Sequence, residues 1–339
     1  MTVNKRKAAT VCTVMCVVMC VLPALLTSCG GTRAKAELSQ INIACFPNIT
    51  HAQALLLKGR GTLEPLFEED GITINWITFN AGPSQIEALF AGAVDIGYIG
   101  PVPALSGYIQ SHGDLQIIAG ATNGGSVLVA RNDSDIRSAR DLDGMTVAIP
   151  QFGNTQHLSL LKLLTANGLK PSTHGGTVNV VQSSNADISN LMDMGSIDAA
   201  LVPEPWGSIL EIRRDGRVVL DYFDVDPDGI PATAVVIVRK DFLDAYPESV
   251  EKFMGAHMEA TAFINDNIDF SMRVINEQIA EITQVLISED VLSSAFSRLH
   301  ISYEIPLSSI IDFARTGAQE NLFPELPDSG LTNDTYIKD

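Results

Sequence analysis

Along most of the chain, segments with a strand-like pattern of hydrophobic positions alternate with segments that have hydrophobic residues at helical spacing. Short apolar runs predict buried strands, and each is followed by a segment with apolar residues at helical spacing. The series opens with a strand over Ile41–Phe46, a helix over Ala52–Glu69 and a strand over Ile72–Phe79. Strands that alternate with helices indicate βαβ units, so the pattern predicts an α/β fold with mostly parallel sheets.

The alternation runs through the chain twice, which predicts two lobes. After the second series a strand over Ala232–Val238 returns to the first, and beyond Pro247 the pattern is mainly helical. We therefore expect lobe one to comprise residues 40–129 plus 231–339, with residues 130–230 inserted as lobe two. A cleft between two lobes is a common place for a small ligand, and closure about the two crossovers would be a hinge motion.

The first 28 residues have the pattern of an export signal. Three cations, Lys5 to Lys7, precede an uncharged stretch from Ala8 to Ser28. The small residues directly before Cys29 resemble the lipobox of bacterial lipoproteins, which implies a lipid on Cys29, a tether over 29–39 and an extracytoplasmic protein held at the membrane. The alternative is an uncleaved transmembrane anchor, because the apolar run is nearly long enough to span a bilayer.

The charge of the chain excludes some classes of partner. The formal net charge is −18, and because three of the 22 basic residues and none of the 40 acidic ones precede Cys29, it is −21 after that position. Nucleic acid is a poor partner for so acidic a chain. Beyond Cys29 only Cys45 remains, so an intramolecular disulfide and a cysteine-based metal site are excluded, and we expect no metal and no cofactor.

Five loops follow predicted strands, at the sheet edge where α/β proteins bind ligands. They are Phe46–Ala52, Asn80–Ser84, Ile99–Ala104, Pro150–His157 and Pro203–Trp206. Ser84 and Thr155 are interpreted as caps of the helices that follow, whose free N–H groups favour an anion. These loops contain no Lys or Arg, which fits a monoanion held by neutral donors better than a multiply charged phosphate.

Together these segments resemble a known family. The stretches FPNITHAQAL, GPSQIEALFAGAVDIGYIGPVPAL, PQFGNTQHLSLLKLL and IDAALVPEPWGSIL, with the lipobox, are similar to the substrate-binding lipoproteins of ABC importers for aliphatic sulfonates, nitrate and taurine. The resemblance implies a two-lobed, type II periplasmic-binding-protein fold without catalysis. It also implies a monomer that delivers its ligand to a membrane permease and a cytosolic ATPase.

The loops and the resemblance predict a set of ligand-binding residues. They are Asn48, Thr50, His51, Gly82, Pro83, Ser84, Gly100, Pro101, Thr122, Phe152, Gly153, Asn154, Thr155, Gln156, Glu204 and Trp206.

Four of these residues have open roles. His51 is interpreted either as a ligand donor or as a residue that satisfies backbone groups in a turn, and a charge on it below about pH 6.5 would assist an anion. Glu204 would repel an anion unless the ligand also carries a cation, as taurine does, and otherwise it binds a backbone amide or faces outward. Trp206 and Phe152 pack either on the ligand or on the core of their lobe.

Other functions remain as alternatives. The same fold could bind a heteroaromatic vitamin precursor such as a thiamine pyrimidine, stacked on Trp206 and Phe152. An enzyme would use Cys45 or Ser84 with His51 or His157 as base, but the chain lacks the G-x-S-x-G and H-E-x-x-H motifs. An adhesive surface lipoprotein is compatible with the charge and the lipid, and no motif supports it.

Overall fold

The computed structural model describes residues 37–221, 229–326 and 330–337, and from Leu38 onward they form one compact unit. The export signal and Cys29 lie outside the described residues. The strands are β1 Gln40–Cys45, β2 Thr73–Thr78, β3 Ile96–Ile99, β4 Leu115–Gly124, β5 Ser126–Ala130, β6 Thr146–Ile149, β7 Asn179–Gln182, β8 Ala199–Pro203, β9 Arg217–Leu220, β10 Ala232–Arg239 and β11 Leu299–Ile301.

Twelve α-helices occur among the described residues. They are α1 Ala52–Arg60, α2 Glu64–Glu68, α3 Gly82–Phe90, α4 Pro101–Ser111, α5 Thr155–Ala166, α6 Asn185–Asp193, α7 Trp206–Arg213, α8 Lys240–Ala245, α9 Pro247–Asp266, α10 Ile268–Thr283, α11 Glu289–Ser297 and α12 Leu307–Gln319. Three short 3₁₀ turns, Ile49–His51, Ala139–Leu142 and Ser172–His174, complete the set.

The strands form two sheets, each covered by helices. The first has six strands in the order β11-β4-β10-β3-β1-β2, and the second has five in the order β7-β6-β8-β5-β9. We call the first sheet with its helices lobe one and the second sheet with its helices lobe two. Both sheets are mixed: β1 pairs in parallel with β2 and β3, whereas β10 pairs antiparallel with β3 and β4. The antiparallel pairs of β10 arise because it returns from lobe two into the middle of the first sheet. In the second sheet β6 pairs in parallel with β7 and β8, whereas β5 pairs antiparallel with β8 and β9.

Each sheet has an apolar core on both faces, which explains the continuous apolar runs in its strands. In β1, Ile43 packs on one face and Ala44 on the other. In β5, Leu128 and Val129 divide in the same way between the two cores of lobe two.

The chain crosses from lobe one to lobe two at Gly124 and Gly125. Both have positive φ, 79° and 72°, a conformation that favours glycine. The boundary between lobe one and lobe two that was predicted between residues 129 and 130 is wrong. It lies inside β5, and all of β5 pairs with the second sheet. The predicted second boundary lies directly before β10, where the Gly124 N–H donates to the Pro231 carbonyl at 2.8 Å. The remaining assignment of residues to lobes stays a prediction.

Candidate functional site

A small cavity of about 30 Å³ lies where the two lobes face each other. Lobe one contributes the loop after β1, the start of α3, the start of α4 and one residue of β10. Lobe two contributes the start of α5, the first residue of α6 and the ends of β6 and β8. The lining residues are Phe46, Asn48, Thr50, His51, Asn80, Ala81, Gly82, Gly100, Pro103, Pro150, Asn154, Thr155, Gln156, Asn185, Pro203 and Thr233. None of these lining residues is Asp, Glu, Lys or Arg.

Of the helices that begin at this cavity, α3 of lobe one and α5 of lobe two are those for which the sequence predicted caps. Helix α3 begins at Gly82 and not near Gln85, so Ser84 is its third residue and is exposed rather than a cap. The cap of α5 is Asn154, whose Oδ1 accepts from the His157 N–H at 2.8 Å. The prediction that Ser84 and Thr155 are caps is therefore wrong. The first N–H groups of each helix lack intrahelical partners, so both helix starts favour an anion.

Because Asn154 caps α5, the side chain of Thr155 does not cap this helix. Thr155 is the first residue of α5 and is only 4% exposed. Its Oγ1 is buried and has no hydrogen-bond partner. An unpaired buried hydroxyl costs about 1–3 kcal/mol, so this group suggests a ligand-binding position. Thr155 also faces lobe one closely, since a Cβ placed on Gly100 would lie 2.3 Å from its Oγ1.

His51 is a neutral donor in this cavity. Its Nδ1 accepts from the Phe46 N–H at 3.2 Å, which places the ring proton on Nε2. Burial lowers the pKa of His51 to about 3. The prediction that His51 charges below about pH 6.5 is therefore wrong, because burial disfavours the charged ring.

Asn48 lines the cavity with one side of its amide. Its Oδ1 accepts from the Trp206 Nε1–H at 2.8 Å, across the boundary between the lobes. Trp206 thus contacts a lining residue and does not itself line the cavity. Gln156 is held similarly, because its Nε2 donates to Ser126 Oγ at 2.9 Å and its Oε1 accepts from Asn154 at 3.2 Å.

The predicted site residues divide into two equal groups. Those that line the cavity are Asn48, Thr50, His51, Gly82, Gly100, Asn154, Thr155 and Gln156. Those that do not line it are Pro83, Ser84, Pro101, Thr122, Phe152, Gly153, Glu204 and Trp206.

The second group has identifiable positions. Pro83 and Gly153 meet across the lobes, since a Cβ on Gly153 would lie 3.8 Å from Pro83 Cγ. Pro101 is the first residue of α4 and has no N–H to donate. Thr122 is buried within β4, outside the cavity. Phe152 is 45% exposed and packs edge-on against His157.

Glu204 belongs to a separate buried cluster. Its carboxylate accepts from the Ser208 N–H at 2.9 Å and from Arg298 at 2.7 Å, while Arg298 also pairs with Glu211 at 2.7 Å. Burial raises the pKa of Glu204 above its usual value, against the lowering effects of Ser208 and Arg298. Of the two interpretations, the backbone-binding one describes this geometry, and Glu204 faces inward rather than outward.

Two lining residues were not predicted from the sequence because they lie outside the five loops. Asn185 is the first residue of α6, where its Oδ1 is buried without a partner. Thr233 is in β10, and its hydroxyl donates to the Gly124 carbonyl. Asn185 follows a strand, so the rule used for the five loops could have found it. Thr233 gives no local signal, because only the return of β10 brings it to the cavity.

The model of the NMT1-like family matches residues 34–279 of this chain. The chain belongs to the NMT1-like family. It is 34% identical over 194 residues to the taurine-binding periplasmic protein of Escherichia coli (strain K12). That alignment covers 57% of this chain and 58% of the relative, so it spans less than two thirds of that protein. A putative aliphatic sulfonates-binding protein of Bacillus subtilis (strain 168) is 25% identical over 252 residues, 72% of each chain.

This NMT1-like chain also has close structural neighbours. The alkanesulfonate-binding protein of Xanthomonas axonopodis pv. citri, bound to MOPS, superimposes with a TM-score of 0.74 at 21% identity. The match covers 88% of this chain and 100% of that one. The family resemblance drawn from the sequence and the predicted α/β, two-lobed type II fold are both confirmed.

The described residues contain neither a candidate membrane span nor a candidate metal-binding cluster. In 37–221, 229–326 and 330–337, no helix combines the length and apolar character needed to cross a bilayer. Across the same ranges, no group of three or more His, Cys, Asp or Glu side chains is arranged to hold a metal ion.

Proposed function

We propose that this chain is an extracytoplasmic solute-binding lipoprotein of an ABC importer. It captures a small oxyanion, an aliphatic sulfonate or taurine or else nitrate, in the cleft between its lobes. The main support is the buried, unpartnered Thr155 hydroxyl at the start of α5, in a cavity lined by neutral donors from both lobes. The names of the relatives support the same ligand class.

The donors suit a monoanion. Thr155, His51 and Asn48 present a hydroxyl, a ring N–H and an amide N–H₂, and two helix starts add free backbone N–H groups. Neutral donors stabilise a single negative charge without the Lys or Arg that a phosphate commonly recruits. Two lobes that each contribute donors would close on the ligand by a hinge motion at Gly124 and Gly125.

The vitamin-precursor alternative is not favoured. Neither Trp206 nor Phe152 lines the cavity, so neither is placed to stack on a ring there.

Binding without catalysis is also part of the proposal. Burial raises the pKa of the Cys45 thiol to about 12, so the nucleophilic thiolate is disfavoured at neutral pH. Ser84, the other nucleophile considered, is exposed and outside the cavity. The Nδ1 atoms of His51 and His157 both accept from backbone N–H groups, at 3.2 and 3.1 Å.

Native mass spectrometry of the full chain in mild detergent, followed by thermal unfolding with added solutes, tests the ligand. Alkanesulfonates, taurine, nitrate, sulfate and a thiamine pyrimidine form the panel. At about 100 times Kd a ligand adds about 2.7 kcal/mol, which raises Tm by roughly 5–10 °C. No bound mass and no shift with any oxyanion would contradict the proposed function, and a shift only with the pyrimidine would support the alternative.

The location and partners need their own experiment. In a bacterial host the protein should sediment with membranes, and Cys29→Ser should release it into the soluble extracytoplasmic fraction, because the lipid attachment atom is lost. If the Cys29→Ser protein stayed in the membrane fraction, the uncleaved anchor would be the better interpretation. Analytical ultracentrifugation tests the monomer, and cross-linking in membranes tests contact with a permease and its ATPase.

A further inference from the structure

Trp206 and Asn48 join the two lobes at the wall of the cavity. Asn48 lies in the loop after β1 of lobe one and is 5% exposed, whereas Trp206 is the first residue of α7 in lobe two. The indole N–H donates to Asn48 Oδ1 at 2.8 Å. An indole nitrogen only donates, so the amide atom that faces it must be the oxygen. The Asn48 N–H₂ group is then left for the cavity.

His51 has the same polarity as Asn48. It accepts from the Phe46 N–H through Nδ1, which leaves the Nε2–H as its donor. Asn154 is engaged within the protein at both ends of its amide, since its Oδ1 accepts from the His157 N–H and its Nδ2 donates to Gln156 Oε1. The donors that remain for a ligand are therefore the N–H groups of Asn48 and His51, which match a sulfonate group and oppose a cationic one.

An ammonium group would find no opposite charge in this wall. Glu204, the carboxylate among the predicted site residues, is fully buried with Ser208 and Arg298 as its partners. Asn185 Oδ1 is a buried acceptor without a partner, but one neutral acceptor does not satisfy the three N–H bonds of an ammonium. Moving that charge out of water without a counter-charge is costly.

We propose that Trp206 is a positioning residue that acts through Asn48, and that the cavity selects a sulfonate without an ammonium group over taurine. This inference rests on the proposed function and narrows its substrate class. Because the two residues belong to different lobes, the Asn48 amide is held in its donor orientation only while the lobes are together. Specificity at Asn48 is thereby coupled to lobe closure.

Isothermal titration calorimetry with ethanesulfonate and taurine tests the selection. These ligands differ by the ammonium group at the end of the same two-carbon chain. The wild-type chain should bind ethanesulfonate at least about tenfold more tightly, the ratio expected from one poorly satisfied charged group. A taurine affinity equal to or above that of ethanesulfonate would overturn the selection.

Trp206→Phe tests the positioning, because it keeps an aromatic ring and removes the N–H. Ethanesulfonate should bind about five- to tenfold more weakly, and its advantage over taurine should narrow, since the freed amide can turn its oxygen toward an ammonium. Asn48→Ala should also weaken ethanesulfonate. Adding Trp206→Phe to Asn48→Ala should give no further loss, because the tryptophan then has no amide to hold.

Trp76→Phe is the matched control. Its indole N–H donates to Glu64 Oε1 at 3.0 Å within lobe one, and neither residue lines the cavity. Both affinities should stay at their wild-type values.

The outcomes separate the claims. If the losses of ethanesulfonate affinity in Trp206→Phe and Asn48→Ala were additive in the double variant, and the ratio of ethanesulfonate to taurine affinity were unchanged, Trp206 would act by packing. That outcome would overturn its proposed role in positioning Asn48. Failure of the wild-type chain to bind either sulfonate would overturn the inference, and it would refute the proposed function as well if nitrate also fails to bind.

Discussion

At the scale of single residues, Thr155 is held in a position that costs the fold free energy. Its hydroxyl is buried and unpaired, whereas the similarly buried Thr261 hydroxyl donates to the His257 carbonyl at 2.9 Å. Two threonines of the same chain thus differ in whether the fold uses their hydroxyl. Thr122 Oγ1 in β4 is also buried without a partner but lies outside the cavity, so the binding role of Thr155 rests on its unpaired hydroxyl together with its place in the cavity lining.

Thr155→Val should therefore weaken ligand binding without weakening the fold. We expect about a tenfold loss of affinity for the best ligand, because one hydrogen bond to a charged group is lost. The free energy of unfolding should stay the same or rise by about 1 kcal/mol, because an unsatisfied hydroxyl is removed. Calorimetry and urea unfolding measure the two quantities.

Thr261→Val is the control, with the opposite expectation. It should lower stability by about 1–3 kcal/mol, since the hydroxyl is bonded, and leave affinity unchanged. If Thr155→Val lowered stability as much as Thr261→Val does, the hydroxyl would have a partner in the fold and the binding role would lose its support.

Gly100 marks how closely the lobes approach. Its φ of −66° suits any residue, so alanine adds only a methyl group, 2.3 Å from Thr155 Oγ1. Gly100→Ala should reduce ligand affinity by tenfold or more while Tm of the ligand-free protein changes little. Calorimetry and thermal unfolding check this, and an unchanged affinity would mean that the lobes do not close on this contact.

Gly255→Ala serves as its control within helix α9. A Cβ there meets nothing within 4 Å, and the position is exposed. Replacing glycine in a helix interior should raise stability by up to about 1 kcal/mol without any change in affinity.

At the scale of elements, Arg298 connects two helices through one buried charge. It follows α11 and pairs with Glu204 and Glu211, which lie just before and within α7. Arg298→Met would leave Glu204, which is 0% exposed, without its cation. We expect a loss of about 3–5 kcal/mol in unfolding free energy, measured by urea titration.

The double variant Arg298→Met/Glu204→Gln shows whether the loss of unfolding free energy comes from the uncompensated charge of Glu204 or from the lost packing of the Arg298 side chain. Removing the carboxylate's charge should restore most of the lost stability, since no uncompensated charge then remains. A double variant no more stable than Arg298→Met would show that the cluster acts through shape instead.

The boundaries of elements show what the sequence could and could not predict. The strand predicted over Ala232–Val238 differs by one residue from the observed β10, because a continuous apolar run bounded by polar residues indicates a buried strand. Ala52–Glu69 was predicted as one helix, but α1 ends at Arg60, where Gly61 adopts φ 57° as a left-handed cap. The start of α3 was placed three residues late, although Pro83 in its first turn is a common feature of helix starts.

The candidate site was partly predictable for a related reason. Residues that directly follow strands, such as Asn48 and Gly82, were found because the ends of parallel strands share one sheet edge. Whether a side chain there faces the cavity depends on the cap and on contacts between the lobes. Trp206 and Glu204 were therefore included although one bonds to Asn48 and the other to Arg298.

At the scale of the whole molecule, three buried neutral histidines make the fold sensitive to acid. Burial lowers the pKa of His51 to about 3 and the pKa values of His157 and His257 to about 4. In the unfolded chain each takes up a proton below about pH 6.5. Since the unfolded state then binds more protons, the stabilisation is complete above pH 6.5 and is lost as pH falls towards 4.

Urea unfolding at several pH values checks this. Each histidine costs about 1.4 kcal/mol per pH unit, so stability should fall by up to about 4 kcal/mol between pH 6 and 5. Between pH 8 and 7 the three histidines together change the stability by less than about 0.5 kcal/mol. A stability that is flat from pH 7 to 5 would mean that these rings can be protonated inside the fold.

The acidic surface and the uncharged cavity together set the kinetics of capture. With a net charge of −18 and no cation in the cavity lining, an approaching anion meets long-range repulsion and gains its stabilisation only at contact. Added salt shortens the range of that repulsion but hardly reaches buried hydrogen bonds. The association rate should therefore rise with ionic strength while the dissociation rate stays nearly constant, so that encounters become more frequent in saline surroundings without any change in how long the ligand stays.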